Sequence, residues 1–183
     1  KMSKSKGNIV KPESLLVEYG SDVIRYWASN ARLGSDTTFS QDVINNGKRL
    51  VNKLWNAAKF VELHIKPSQE DDFSKVICAS DKAILALITK AIEEVGSHFE
   101  AYEYSLARET IEKFFWQDFC NNYLEVSKSR IYNQSNSNPN LQESGLITLS
   151  YVFKTILKLF APFLPYITEE LYKAMYNNQQ SIH

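Results

Sequence analysis

The sequence has little of what builds disulfide-rich or turn-rich folds. Its 183 residues include two cysteines, six glycines and five prolines. Cys78 and Cys120 lie far apart and form no CxxC pair, so we expect no disulfide framework, no metal site and a reducing, cytoplasmic compartment. Because tight turns need glycine and proline, their scarcity argues against an all-β fold.

The chain also lacks an excess of charge of one sign and a long apolar run. Lys plus Arg and Asp plus Glu number 21 each, so any polyanion site must come from local clustering. No apolar stretch approaches the roughly 20 residues of a membrane span, and no signal-peptide core follows Lys1. We therefore expect no membrane partner. Apolar residues are nevertheless abundant, and a hydrophobic fraction of 44% predicts a packed core.

Polar stretches at 1–8, 66–72 and 133–142 separate segments in which apolar residues recur every three or four positions. This period predicts helices, which we place at about 40–65, 80–99, 104–132, 144–161 and 165–176. Ahead of them, a strand at 8–10, two helices that meet at Gly20 and an extended 37–39 form a small β-α-α-β unit. The predicted fold is mainly α, with that unit at 1–40 and a helical bundle at 41–183.

The chemistry is concentrated in the opening residues, KMSKSKGN. No acid precedes Glu13, and flexible ammonium groups, serine hydroxyls and a glycine suit the binding of a polyphosphate. The alternative is a lysine- and serine-rich terminus that is merely solvated. The cations up to residue 11 are Lys1, Lys4, Lys6 and Lys11.

KMSKS followed by KGN resembles the signature loop of the class I aminoacyl-tRNA synthetases. The family's P-x-x-L-x-x-x-Y-G-x-D-x-x-R continuation runs from Pro12 to Arg25. RYWASNARLGSDTTFS (25–40) and GKRLVNKLWNAAKF (47–60) are similar to the valyl members of the family. FFWQDFCNNYLEVSK (114–128) and APFLPYITEELY (161–172) resemble the helical anticodon-binding domain that the valyl, isoleucyl and leucyl enzymes share.

The resemblance implies an ATP-dependent ligase that attaches valine to its tRNA through an aminoacyl-adenylate. Lys1 and Lys4 would be catalytic by stabilising the ATP pyrophosphate, while Ser3 and Ser5 would join them in binding ATP. ATP with Mg²⁺ is expected for the full-length enzyme. Because neither an HIGH-type signature nor an editing domain is present, we expect a monomeric fragment that binds tRNA but does not catalyse, with no cofactor bound.

The resemblance implies that residues 1–40 are a tRNA stem-contact unit and that the bundle is an anticodon-binding domain, with residues that contact phosphates and bases. The polar side of the 40–65 helix could simply solvate that helix, and Arg32 could cap the preceding helix. Cations near 128–130 also suit a helix dipole, whereas Tyr132 could stack on a base. The predicted tRNA-binding residues are Arg32, Lys48, Arg49, Asn52, Asn56, Lys59, Lys128, Arg130 and Tyr132.

Other conspicuous residues are interpreted as structural. Trp27, Trp55 and Trp116 lie among apolar neighbours at helical spacing and are predicted to be core. Asp118 lies on a largely apolar helix, and since a buried carboxylate needs a partner, we expect it to pair with a cation. Two alternatives for the whole chain stay open: the same region of an isoleucyl-tRNA synthetase, or a stand-alone RNA-binding or scaffolding helical module.

Overall fold

The computed structural model describes residues 12–36, 38–65, 71–132, 138–176 and 180–183. These residues form helices and their connections, with no strand among them, which confirms the mainly helical prediction. Within the same ranges, no helix combines the length and apolarity needed to cross a membrane. The helices are α1 Pro12–Tyr19, α2 Ser21–Ala28, α3 Gln41–Glu62, α4 Ala79–Glu100, α5 Tyr104–Lys113, α6 Leu124–Tyr132, α7 Pro139–Phe160 and α8 Pro165–Tyr176, with a 3₁₀ turn at Phe73–Lys75 and a π-helical segment at Phe114–Tyr123.

The predicted β-α-α-β unit is wrong in its second strand. Thr38 and Phe39 are neither helical nor part of a strand. A strand needs a neighbour to satisfy its backbone groups, whereas here the Phe39 ring packs against Trp27, with ring centroids 5.9 Å apart. The first predicted strand, at 8–10, and Thr37 lie outside the described residues. The two helices are confirmed, and Gly20 connects them with a φ of 81°.

Close packing of α2 on α3 depends on the absence of a side chain at Gly47. A Cβ atom there would lie 2.8 Å from Cδ1 of Tyr26, closer than ordinary packing allows. Along the same side of α3, the predicted apolar stripe is confirmed: Leu50, Leu54 and Val61 are fully buried. This side faces the core, so the opposite side of α3 is left to solvent.

The bundle core is built from aromatic rings of the long central segments. α5, the π-helical segment and α6 follow one another without a break from Tyr104 to Tyr132, as predicted. Phe115 and Phe119 from the π-helical segment meet Phe153 and Phe160 of α7, and all four are fully buried. Half of the residues of α7 are buried, so α7 lies at the centre of the bundle.

The prediction that the tryptophans form the core is wrong for Trp27 and Trp55. Trp55 is 43% exposed and Trp27 is half-buried, whereas Trp116 is half-buried and packs against the core. Lysines cover two of the rings: Lys59 Nζ lies 5.6 Å from the Trp55 centroid and Lys53 Nζ lies 5.7 Å from that of Trp116. Indole rings at a helix surface gain from such cation–π contacts without full burial.

Side chains of α2 bind backbone groups at and just before the start of α8, although the two helices are far apart in the sequence. The Asp22 carboxylate accepts hydrogen bonds from the backbone N–H groups of Tyr166 (3.2 Å) and Ile167 (2.7 Å). Arg25 Nη2 donates to the Pro162 carbonyl at 2.8 Å. Because the first N–H groups of a helix have no partner within it, Asp22 caps α8 from a distant part of the sequence.

Candidate nucleic-acid interface

Five of the predicted binding residues share one exposed side of α3, which we call the α3 polar face. Spacings of three and four residues bring side chains to one side of a helix, and this side is opposite the buried stripe. All five side chains are exposed. The α3 polar face consists of Lys48, Arg49, Asn52, Asn56 and Lys59.

The cations of the α3 polar face form no ion pairs with carboxylates of the described residues. In the part of the chain that the structure describes, none of Lys48, Arg49 and Lys59 pairs with a carboxylate. Lys48 Nζ lies 5.2 Å from the Tyr19 ring centroid, and Lys59 lies over Trp55. Charges held over aromatic rings and open to solvent can contact a polyanion such as an RNA backbone.

Tyr132 lies beside the C-terminal end of α3 in a small aromatic cluster. Its ring meets His64 edge-on, with centroids 4.9 Å apart, and lies 6.1 Å from Phe60. Tyr132 is 50% exposed, so part of its ring remains free to stack. Phe60 and His64 were not among the predicted binding residues; Phe60 lies in the last turn of α3, and His64 follows the end of the helix with Nδ1 2.7 Å from the Phe60 carbonyl oxygen.

Arg32 is exposed and Lys128 is half-exposed, and neither contacts a residue of the α3 polar face in the ion pair that it forms. Arg32 is 3.7 Å from Glu103, in the turn between α4 and α5, and does not cap α2, whose C-cap residue is Ser29. Lys128 pairs with Glu125 on its own helix at 2.6 Å. Both exposed ion pairs are weak, so both cations can exchange a carboxylate for a phosphate.

Arg130, by contrast, is part of a buried network around Asp81. The Asp81 carboxylate is fully buried and accepts hydrogen bonds from Arg130 Nη1 and Nη2 (both 2.8 Å), Tyr123 Oη (2.9 Å) and Ser144 Oγ (2.7 Å). Burial, first of all, raises the pKa of Tyr123 well above its ordinary value. The guanidinium of Arg130 thus stabilises the bundle, and we leave it out of the interface.

The buried carboxylate that pairs with a cation is therefore Asp81, and the prediction for Asp118 is wrong. Asp118 is half-buried beside a groove of about 140 Å³ between α4 and the π-helical segment. No ion pair involves it among the described residues. Asp81 went unnoticed in the sequence because its position, in the first turn of α4, is also typical of an exposed residue that complements the helix dipole.

A second polar network joins α2 to α5. Arg108 Nη1 donates to Glu112 at 2.6 Å, and Nη2 donates to Asn30 at 2.9 Å. Tyr26 Oη donates to the same Glu112 carboxylate at 2.9 Å, and burial raises the pKa of Tyr26 to about 12. Tyr26 and Arg108 are buried, so this network joins the helices and is not part of the α3 polar face.

The remaining predicted site residues lie outside the described part of the chain. These are Lys1, Ser3, Lys4 and Ser5, whose roles toward ATP stay predictions. Among the residues that the structure does describe, no group of three acidic, histidine or cysteine side chains is arranged to hold a metal ion.

Comparison with protein families identifies two regions of the chain. The family described as the anticodon-binding domain of tRNA ligase matches residues 81–183. A second family, described as class I tRNA synthetases (I, L, M and V), matches residues 1–40.

Curated relatives cover all of the chain. Valine–tRNA ligase of Rickettsia canadensis (strain McKiel) is 51% identical, with 100% of this chain and 24% of the relative aligned. That of Ehrlichia ruminantium (strain Gardel) is 54% identical, covering 100% and 22%. The chain thus spans about a quarter of the length of these relatives.

Solved structures show the same fold. Methionyl-tRNA synthetase of Mycobacterium tuberculosis in complex with methionyl-adenylate superposes with a TM-score of 0.75 and 25% identity, over 94% of this chain and 35% of that chain. LeuRS of Agrobacterium radiobacter K84, in a ternary complex with tRNA, gives 0.63 and 19%, over 100% and 21%. Since a tRNA ligase family matches more than half of its residues, the chain belongs to the tRNA ligase anticodon-binding domain family.

Proposed function

We propose that the chain is the tRNA-binding part of a class I ligase that joins valine to its tRNA. The observation that carries the proposal is the α3 polar face, where cations and amides lie together on an anticodon-binding fold. The choice of valine is supported by relatives about half identical over the whole chain, all named valine–tRNA ligase.

The α3 polar face supplies two kinds of contact. Lys48, Arg49 and Lys59 contact phosphates, which fixes the RNA in position without reading its sequence. Asn52 and Asn56 lie one helical turn apart, and each amide offers both a donor and an acceptor to a base edge. At the end of α3, Tyr132 offers a ring for an unstacked loop base, the form in which proteins usually read RNA sequence.

The chemical step belongs to the longer protein in this proposal. Lys1 and Lys4 would stabilise the ATP pyrophosphate, with Ser3 and Ser5 supporting the loop, and ATP with Mg²⁺ and valine would bind where a catalytic domain completes the site. We propose that the chain by itself binds tRNA as a monomer in the cytoplasm and does not catalyse the reaction.

Binding of three RNAs at two salt concentrations tests the proposal. We expect the chain to prefer valine tRNA over isoleucine tRNA and over valine tRNA with a swapped anticodon. Preference for isoleucine tRNA would instead support the isoleucyl alternative. Equal, salt-sensitive binding of all three would mean that only phosphate contacts are made, and no binding at either salt concentration would refute the proposal.

Paired substitutions locate the interface. Lys48→Ala with Arg49→Ala removes two phosphate contacts, so we expect weaker binding and a salt slope smaller by about 1.4 to 1.8, from 0.7–0.9 per contact. Lys90→Ala is the matched control, because Lys90 is an exposed lysine on α4. An equal loss from the control and from the pair would place the RNA elsewhere on the surface.

A further inference from the structure

The groove beside Asp118 lies between two helical segments that run in opposite directions. A short turn joins α4 to the segment 104–132. Asp81, in the first turn of α4, accepts a hydrogen bond from Tyr123, which lies in the second half of that segment. The two segments therefore form an antiparallel pair of helices with an open seam between them.

We call this seam the α4 groove. It extends along α4 from Ser80 to Leu87, roughly 10 Å or two helical turns, and along the facing segment from Asp118 to Val126. Leu87 is 44% exposed and Val126 is 54% exposed, so both walls present apolar surface to water. Because a cavity of about 150 Å³ holds a benzene ring, the groove volume of about 140 Å³ is enough for one apolar side chain.

The wall opposite α4 is π-helical over much of its length. The π-helical segment Phe114–Tyr123 contributes Asp118 and Asn122, and Val126 follows on α6. Turns of π-helix are rare and are frequently found at functional sites. This favours a binding role for the groove over a simple gap in the packing.

The charge of the α4 groove is negative. Among the described residues, no lysine or arginine lines it and no cation pairs with the half-buried Asp118. Arg130 reaches the rim, where it donates to Ser80 Oγ at 2.9 Å, but Asp81 balances its charge. An unbalanced carboxylate repels a phosphate backbone and attracts a cation, so the groove is suited to a basic group rather than to RNA.

The α4 groove is also separate from the α3 polar face. α4 packs on α5, α7 and the π-helical segment, whereas α3 packs on α2, α7 and α8. The groove is thus formed by helices other than α3, and its occupant can differ from that of the α3 polar face.

We propose that the α4 groove binds an amphipathic helix of a partner protein, which places an apolar side chain between Leu87 and Val126 and a lysine or arginine at Asp118. A helix that docks in a groove uses side chains three or four residues apart, and a groove of two turns accommodates both anchors. The partner is a protein and makes its contacts away from the α3 polar face, so the inference goes beyond the proposed function.

Two synthetic peptides test the proposal. Each has about 18 residues, which is long enough to form a helix, in a background of alanine and glutamine. One carries a leucine and a lysine four residues apart, and the other has glutamate in place of the lysine. The lysine peptide should shift the amide signals of Leu87 and Val126 in nuclear magnetic resonance spectra of the 183-residue chain. The glutamate peptide should bind at least about tenfold more weakly, because a like charge would face Asp118. Equal affinities, or no shift of these signals, would overturn the proposal.

Exchange of the charges identifies the carboxylate. In Asp118→Lys the preference should reverse, so that the glutamate peptide binds more tightly, and in Asp118→Asn the preference should disappear. Glu93→Lys is the matched control, because Glu93 is an exposed carboxylate of α4 outside the groove. Thermal unfolding shows that each variant is folded. A preference for the lysine peptide that persists in Asp118→Asn would refute the role of the carboxylate.

The apolar contact has its own variants. Leu87→Ala should weaken both peptides severalfold, since it removes apolar surface that the leucine covers. Ile92→Ala should leave both affinities unchanged, because Ile92 is an exposed apolar residue of α4 that does not line the groove. Equal losses from the two variants would overturn the proposal.

Two further measurements exclude other occupants. Displacement of the lysine peptide by valine tRNA would make the groove part of an RNA interface. Shifts of the Leu87 and Val126 signals as the chain alone is concentrated would identify a second copy as the occupant. Either result would overturn the partner helix. The peptide titrations contain no RNA, so they stand or fail independently of the proposed function.

Discussion

Removal of the Asp81 carboxylate should destabilise the bundle more than any surface change. In Asp81→Ala the half-buried guanidinium of Arg130 loses its counter-charge, a loss that costs about 3–5 kcal/mol in fully buried pairs. Tyr123 and Ser144 lose their acceptor as well. Since a domain is stable by about 5–15 kcal/mol in total, one carboxylate accounts for a large share of the stability.

Thermal and urea unfolding followed by circular dichroism measure this loss. For a domain of this size, about 2–4 °C per kcal/mol gives a drop in Tm of about 6–20 °C. Asp118→Ala is the control, because that carboxylate is not paired in the described structure, and it should change the free energy of unfolding by less than about 1 kcal/mol.

A second variant distinguishes the ion pair from a simple loss of packing. Asp81→Leu with Arg130→Met replaces both charges by apolar side chains, and such replacements are often neutral. The double variant should therefore be more stable than Asp81→Ala. The reasoning is refuted if Asp81→Ala costs under about 1 kcal/mol, or if the double variant is as unstable as the single one.

Two further predictions concern titratable groups. The hydroxyl of Ser80 lowers the pKa of the half-exposed Cys78, whereas burial raises the pKa of Cys120 to about 12. A thiol reagent should therefore modify Cys78 quickly and Cys120 only on unfolding. Equal rates of modification at the two cysteines would contradict this prediction. The Lys173 ammonium, then the Ile182 N–H, lowers the pKa of Glu169 from 4.5 to about 2. A lowered pKa stabilises the folded state above pH 4.5, and that contribution is lost as the pH falls toward about 2. The nuclear magnetic resonance signal of the Ile182 amide should therefore shift between these pH values. In Glu169→Gln the same signal should not shift.

The helices were predictable where the sequence marks their ends. Pro165 begins α8, which the structure bounds at Pro165–Tyr176 as predicted. α7 begins five residues before the predicted Ser144, because the Asn138 side chain accepts from the Leu141 N–H and Pro139 occupies the first turn. That cap–proline signature was present in the sequence but lay within a stretch interpreted as a loop.

The candidate site was less predictable than the helices. The period of the apolar residues is enough to place the α3 polar face on one side of a helix. It does not show whether a given cation is solvated or is paired inside the bundle. Arg130 and Lys128 are two residues apart on the same helix, yet Arg130 pairs with a fully buried carboxylate and Lys128 with an exposed one. The partner of Arg130 lies 49 residues earlier, and single-sequence patterns carry no record of such pairing. The boundary at residues 40 and 41 stays a prediction.

The Asp22 cap on α8 has a consequence for how the chain folds during synthesis. The carboxylate emerges early, but the N–H groups that it accepts from follow 144 and 145 residues later. Contacts so distant along the chain form late, because a long loop must close first. During synthesis on the ribosome, α2 should therefore lack its contact with α8 until α8 has emerged. We expect the docking of α2 on α8 to complete folding.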